Sequence, residues 1–382
     1  MTQANRLRAQ LAKGLAQAGH LRTRQWREAV EAVPRHEFLR TGFFVREDGP
    51  GPTAWRPVMP DDDRWLERAY EDESLVTQIA GTILPQDIRG AIMRAPTSSS
   101  TMPSLVVRML EELVVEDGNR VLEIGTGTGY STALLCHRLG DDLVTSVEVD
   151  QEVSGRASTA LAACTYDPEL VVGDGLSGHK GGAPYDRTIA TCGVLDIPWT
   201  WIEQTRSGGT VLATVCGWLY SSELARLTVH GDATATGRLL GGQVSFMLAR
   251  PQLPPPLGLL PDFAGGEERR AVLGPDALTA DWAARFVAQL AAPRAQQFSM
   301  ADGGRSEHVL IDVGSGAWAV LREAGGGWTV RQGGPARIWD AVEEYVVRWR
   351  SDGAPGLERF EITVTPDGQS ITWPSRRGPS GG

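Results

Sequence analysis

The sequence predicts an α/β protein: a doubly wound, mostly parallel sheet followed by a smaller α+β domain. Three observations carry this. Short apolar runs alternate with helical segments from residue 105 to residue 216. One of these runs ends in three alternate glycines that open a helix. A proline-rich stretch at 251–267 then separates two different kinds of pattern.

The 382 residues hold 41% hydrophobic and 22% charged side chains, which suits a globular chain long enough for two domains. Lys and Arg number 37 against 47 Asp and Glu, a net charge of −10, so gripping a nucleic-acid backbone is disfavoured. No apolar run reaches the length of about 18 residues that a membrane span needs. The first residues have scattered charges and no apolar stretch of a secretion signal. The six His and four Cys (Cys136, Cys164, Cys192, Cys216) lack metal-ligand or redox spacing. The expectation is a cytoplasmic, monomeric protein without nucleic acid, membrane or metal.

In chain order, residues 1–40 read as helical through Leu7, Leu11 and Leu15. Residues 47–64, rich in Pro, Gly and Asp, read as an irregular surface excursion. Leu105–Leu113 is a helix. Strands follow at Arg120–Ile124, Leu143–Val149, Leu170–Val172, Asp186–Ala190 and Gly209–Cys216. Helices are expected at Ser131–Arg138, Val153–Ala163 and Trp201–Gln204, with a closing strand at Gln243–Ala249. The resulting division is an N-terminal segment with the excursion at 1–94, a sheet core at 95–250 and a linker at 251–267. An accessory domain at 268–375 and a disordered tail at 376–382 complete it.

The accessory domain shows helical stripes through Trp282, Phe286, Val287 and Leu290, and through Ile338, Trp339, Val342, Tyr345, Val346 and Trp349. Strands are expected at His308–Asp312, Ala317–Arg322, Trp328–Arg331 and Phe360–Thr365. Six of the 12 tryptophans lie here. Trp282, Trp339 and Trp349 read as core, whereas Trp318 and Trp328 beside glycine-rich turns are expected to form a surface for a peptide.

The segment Val121-Leu-Glu-Ile-Gly-Thr-Gly-Thr-Gly-Tyr130 carries the chemistry. Alternate glycines let a ligand approach the backbone, and the following helix start offers free N–H groups. The G-x-G-x-G spacing departs from the G-x-G-x-x-G of dinucleotide loops. Glu123 before the loop suits a ligand with a cationic end, such as S-adenosyl-L-methionine (SAM). Glu148 closes the second strand, followed by Val149, where a carboxylate takes ribose hydroxyls. Asp174 and Gly175 close the third strand, where they can meet an adenine edge. The candidate cofactor residues are thus Glu123, Gly125, Thr126, Gly127, Gly129, Tyr130, Glu148, Val149, Asp174 and Gly175.

These residues resemble class I SAM-dependent methyltransferases, with a Rossmann-like sheet, and more narrowly the protein-L-isoaspartate O-methyltransferases. Val33-Pro-Arg-His-Glu-Phe38 is similar to a VPRHxF signature, and Ala69-Tyr70 with its acidic neighbours to an AY(x)D/E segment. Ser99-Ser-Thr-Met-Pro103 is similar to a TISxP element with a serine cluster in place of Thr-Ile. The resemblance covers residues 25–250 and implies SAM as cofactor, with S-adenosyl-L-homocysteine (SAH) as product. The extra domain and the serine cluster resemble homologues that act in ribosomal peptide (graspetide, ATP-grasp) biosynthesis. That likeness implies methylation of an aspartate in a precursor peptide already cyclised by an ATP-grasp ligase, leading to an aspartimide. Repair of L-isoaspartate in damaged proteins and lanthipeptide-type aspartate methylation are the alternatives.

Methyl transfer to a carboxylate needs orientation more than a base, because the nucleophile is already ionised at neutral pH. Thr101, Ser100 and Ser99 are the candidate catalytic hydroxyls; capping of the next helix is the competing role. His36 is either a substrate contact or a satisfied internal histidine, and Arg35 is expected to pair with Glu37 or Glu73. Asp186 reads as a strand-end cap, Asp196 as a loop residue, and His179-Lys180 as a solvated turn.

Overall fold

The computed structural model describes residues 2–47, 52–302 and 305–375. The tail expected to be disordered, 376–382, lies outside the described residues, as do 48–51 of the excursion. The chain forms two compact units. The first comprises Met1–Cys192, Pro198–Leu212 and Thr228–Thr234; the second comprises Gly193–Ile197, Ala213–Leu227 and Ala235–Gly382. The expected linker is therefore not where the chain divides.

In the first unit, helices Gln3–Gln17 and Arg24–Ala32 precede a 3-10 turn at Arg35–Leu39. The parallel strands run in the spatial order Tyr185–Val194, Val121–Ile124, Val144–Glu148 and Glu169–Val172. Thr205–Val215 lies on the other side of Tyr185–Val194. Val121–Ile124 is buried along its whole length, as a strand covered on both faces must be. Helices Tyr130–Leu139 and Gln151–Ala163 connect the strands in the expected alternation.

A second sheet, not anticipated, orders Ala54–Val58, Phe43–Glu47, Leu75–Ile79 and Pro96–Ser100. Five residues of the expected irregular excursion, Ala54–Val58, thus form a strand. Phe44, Val76 and Ile79 form its core, with Trp55, Ile83, Ile88 and Ile92 packed against them. The serine cluster lies on its edge strand, where Ser99 pairs with Val76 and Ser100 with Leu75.

In the second unit, strands Glu223–Val229, Ala235–Leu239, Glu361–Thr365 and Gly368–Thr372 are neighbours in that order. A separate antiparallel sheet orders Glu267–Arg270, Gly327–Gly333, Ala317–Ala324, Arg305–Asp312 and Gln296–Asp302. Helices Trp282–Ala291 and Ile338–Ser351 carry the expected stripes.

Three expectations fail here for physical reasons. Gln243–Ala249 forms no strand: Gly241, Gly242 and Gln243 all take positive φ, and only an isolated bridge from Leu248 to Gly193 remains. The expected linker is packed rather than free: Leu257 and Phe263 lie on the cluster of Val309, Ile311, Trp318 and Val320, and its last residue opens strand Glu267–Arg270. Trp318 is 5% exposed, edge-on to Phe263 at 5.2 Å between ring centres, so it is core rather than a peptide surface.

Candidate functional site

The glycine loop sits where strand Val121–Ile124 gives way to helix Tyr130–Leu139. Gly125, Gly127 and Gly129 all adopt positive φ, a region costly for residues with a Cβ. The three differ in what they make room for. A Cβ at Gly125 would lie 2.7 Å from Thr191 Oγ1, and one at Gly127 would lie 3.6 Å from the carbonyl of Ser99. A Cβ at Gly129 would lie 3.3 Å from Ala157 Cβ, so that glycine serves helix packing.

Glu148 closes the neighbouring parallel strand and faces the loop. Its Oε2 accepts from the Gly127 amide at 2.9 Å, and its Oε1 from the Asp150 amide at 3.1 Å. Val149 follows, 42% exposed, an apolar surface beside a polar one. Asp174 is exposed, and its Oδ1 accepts from the Leu176 amide at 3.0 Å. A Cβ at Gly175 would lie 2.5 Å from Ile124 Cγ2, so only glycine lets this turn close on the first strand.

Four expected cofactor residues lie inside the protein instead. Glu123 is fully buried and accepts hydrogen bonds from Ser131 Oγ and Thr132 Oγ1 at 2.5 Å and from Ser146 Oγ at 2.7 Å. Burial pushes its carboxyl above the ordinary range, and the three hydroxyls oppose that shift. It ties strand, helix and neighbouring strand together beneath the loop, rather than meeting a ligand's cationic end. Thr126 shares a 2.7 Å hydrogen bond with Ser146. Tyr130 is buried edge-on to Phe38 at 5.9 Å, with the Arg35 guanidinium 6.0 Å from its ring centre. Gly129 is buried against Ala157 and Leu161.

The serine cluster runs past this loop. Side chains alternate along a strand, so Ser98 and Ser100 are buried while Ser99 is half-buried. Ser98 Oγ accepts from Thr77 Oγ1 at 3.2 Å. Ser100 is 2% exposed, and its Oγ has no hydrogen-bond partner among the described residues. Buried hydroxyls are rarely left so, because an unmade hydrogen bond costs about 1–3 kcal/mol. Capping of helix Pro103–Leu113 is not their role. Asp72 Oδ1 accepts from the Ser104 amide at 2.8 Å, and Ser74 Oγ from the Met102 amide at 3.0 Å. Thr101, half-buried, connects strand and helix.

Arg35 does not pair with Glu37 or Glu73 through their carboxylates. Its guanidinium is fully buried and donates to the carbonyls of Ala69, Glu71, Glu73, Ser100 and Thr101. His36 is internally satisfied: Nδ1 lies 2.7 Å from Tyr70 Oη and Nε2 3.1 Å from Glu37. Asp186 does cap a strand, accepting from the Arg120 amide at 2.6 Å, and pairs with Arg206 at 2.5 Å. His179 faces Glu169 at 3.3 Å, and Asp196 accepts from Gln369 Nε2 at 3.4 Å. Asp72, Ser74 and Thr191 build the site without having been singled out in the sequence. Asp72 alone had a signal there, as an acidic residue following Ala69-Tyr70.

The protein-L-isoaspartate(D-aspartate) O-methyltransferase (PCMT) family profile matches residues 67–242. A protein-L-isoaspartate O-methyltransferase of Methanopyrus kandleri is 32% identical over 240 residues, spanning 62% of this chain and 88% of that relative. Another, of Archaeoglobus fulgidus, is 40% identical over 189 residues, spanning 49% and 69%. A solved structure of a protein-L-isoaspartate O-methyltransferase matches with a TM-score of 0.55 at 22% identity, covering 96% of this chain and 99% of its own.

Fold and site together define a class I methyltransferase, a SAM-dependent enzyme that methylates carboxyl groups. The chain belongs to the protein-L-isoaspartate O-methyltransferase family.

The residues present fit SAM. Gly125 and Gly127 hold a loop of positive φ with no side chain over the backbone, the Glu148 carboxylate would accept from ribose hydroxyls, and exposed Val149 would meet the apolar part of the nucleoside. Asp174 and Gly175 follow Glu169–Val172, the next parallel strand of the same sheet. Among the described residues, no helix is long and apolar enough to cross a membrane.

Proposed function

We propose that this enzyme methylates the free α-carboxylate of L-isoaspartyl residues in peptides and proteins. One observation carries the reading: a buried hydroxyl without a partner among the described residues, Ser100 Oγ, on a strand whose neighbouring Ser99 carbonyl borders the glycine loop. A carboxylate oxygen can accept from that hydroxyl, which then holds its other lone pairs free for attack. SAM supplies an electrophilic methyl on a sulfonium. Ser100, with Thr101 beside it, orients the acceptor carboxylate in line, while Ser99 lies on the other face of the strand. A lysine or arginine in their place would blunt the nucleophile.

The sequence also suggested an aspartate of a cyclised, graspetide-type precursor, partly because of the additional domain. That domain no longer separates the two readings, since the solved isoaspartate methyltransferase is matched over 99% of its length and 96% of this one. Nothing in the site favours the cyclised substrate or an ATP-grasp partner. The deciding experiment offers SAM with three peptides of one sequence: isoaspartyl, aspartyl, and ω-ester-cyclised. Mass spectrometry should show methyl gain on the isoaspartyl peptide, decaying to a succinimide by loss of methanol. Methylation confined to the cyclised peptide would replace this reading with the other.

A further inference from the structure

We propose that Arg35 is a positioning residue for the methyl acceptor, gathering two chain segments through their backbone carbonyls so that Ser100 stands at a fixed place beside the glycine loop. The inference rests on the acceptor role of Ser100 given above and names what holds it there.

The geometry is specific. One guanidinium nitrogen of Arg35 donates to the Ala69 carbonyl at 3.1 Å and the Glu71 carbonyl at 2.9 Å. The other donates to Glu73 at 2.9 Å, Ser100 at 3.3 Å and Thr101 at 3.2 Å. The planar fork presents donors in fixed directions, which a lysine cannot reproduce. Both segments it gathers are functional. Residues 69–74 supply Asp72 and Ser74, which cap the helix after Thr101, and residues 100–101 carry the acceptor hydroxyls.

A burial of this kind is expensive for a fold. No carboxylate forms an ion pair with Arg35 among the described residues, and its Nε has no partner either. Burial lowers the guanidinium to about 10. A hydrophobic side chain would fill the same space at less cost if packing were the only requirement. The unpartnered Nε and the unpartnered Ser100 Oγ belong to residues in direct hydrogen-bond contact. The two unmade bonds are thus concentrated where the acceptor must be placed, while the guanidinium meets the end of the glycine loop only through the Tyr130 ring, 6.0 Å away.

The test compares wild type, Arg35→Lys and Arg35→Met in three measurements. These are SAH affinity by calorimetry, kcat and KM for an isoaspartyl peptide, and amide hydrogen exchange. In Arg35→Met, kcat/KM for the peptide should fall about 100-fold, the scale of a misplacement near 1 Å. SAH affinity should stay within about threefold. Exchange should rise in residues 69–76 and 98–102 and nowhere else, and Arg35→Lys should recover part of both losses. Parallel loss of SAH binding and of protection throughout the first unit would make Arg35 a support of the fold only. Unchanged kinetics with unchanged exchange would overturn the proposal as well. If wild type transfers no methyl to isoaspartyl peptides, the substrate reading fails, and the exchange measurement still decides the role of Arg35.

Discussion

Glu148 and Gly127 are joined by a 2.9 Å hydrogen bond from the loop amide to the carboxylate at the end of the next parallel strand. One side chain therefore shapes the loop and is also the one proposed to accept from a ribose. Hydrogen bonds to a charged group contribute about 1.5–3 kcal/mol, and about 1.4 kcal/mol is tenfold in affinity. Glu148→Ala should weaken SAH binding about 10- to 100-fold by calorimetry, with Glu148→Gln in between. Equal affinity in all three proteins would remove Glu148 from the site.

Ser100→Ala separates function from stability. The buried Oγ has no partner to lose, so its removal should leave the melting temperature unchanged or slightly higher, within about 1 kcal/mol. Methyl transfer should drop about 10- to 100-fold with SAH affinity intact. A clear loss of stability with normal turnover would assign the hydroxyl to the core.

Gly125→Ala meets two obstacles, a φ of +95° and Thr191 Oγ1 at 2.7 Å. Each costs on the order of 1–3 kcal/mol. Thr191 also donates to the Ile124 carbonyl at 3.1 Å, so Thr191→Ala alone should destabilise. The two substitutions should be less than additive in urea unfolding, because the second relieves the clash left by the first. Strict additivity would show that φ alone requires the glycine.

His36 gives a pH dependence. Burial lowers its affinity for a proton below the ordinary 6.5, ahead of the opposing pull of Glu37. The folded state therefore binds fewer protons than the unfolded one. This contribution to stability is present above pH 6.5 and is lost as pH falls below it. Denaturant unfolding at pH 7.5, 6.5 and 5.5 (probe conditions spanning about 2 pH units) should show a smaller decline for His36→Gln than for wild type. Parallel declines would mean that other groups dominate.

The sheet core was legible because parallel strands buried on both faces read as short apolar runs between helical ones. The glycine loop, Glu148 and the Asp174-Gly175 turn emerged from those strand ends, since spacing in the chain becomes proximity at one sheet edge. Less legible were features that depend on side-chain direction. Glu123 and Tyr130 sit next to the loop in sequence, yet the alternation of the strand and the first turn of the helix send both inward. Leu75–Ile79 was missed because all five positions are buried and no alternation marks it, and Pro96–Ser100 because serines have weak strand preference. Arg35 reads as an ordinary charged residue until its carbonyl partners, 34 to 66 positions away, come together.

The pairing of Ala235–Leu239 with Glu361–Thr365 bears on how the chain is made. An edge that belongs to a strand ending at Leu239 stays open until the ribosome has added well over a hundred further residues. At roughly 5–20 residues per second, that wait lasts several seconds to tens of seconds. An open edge is a template for joining another chain, so the nascent protein carries that liability throughout the interval. Cutting the gene after residue 250 would make the interval permanent, and the shortened chain should accumulate as aggregate rather than as a free-standing catalytic core.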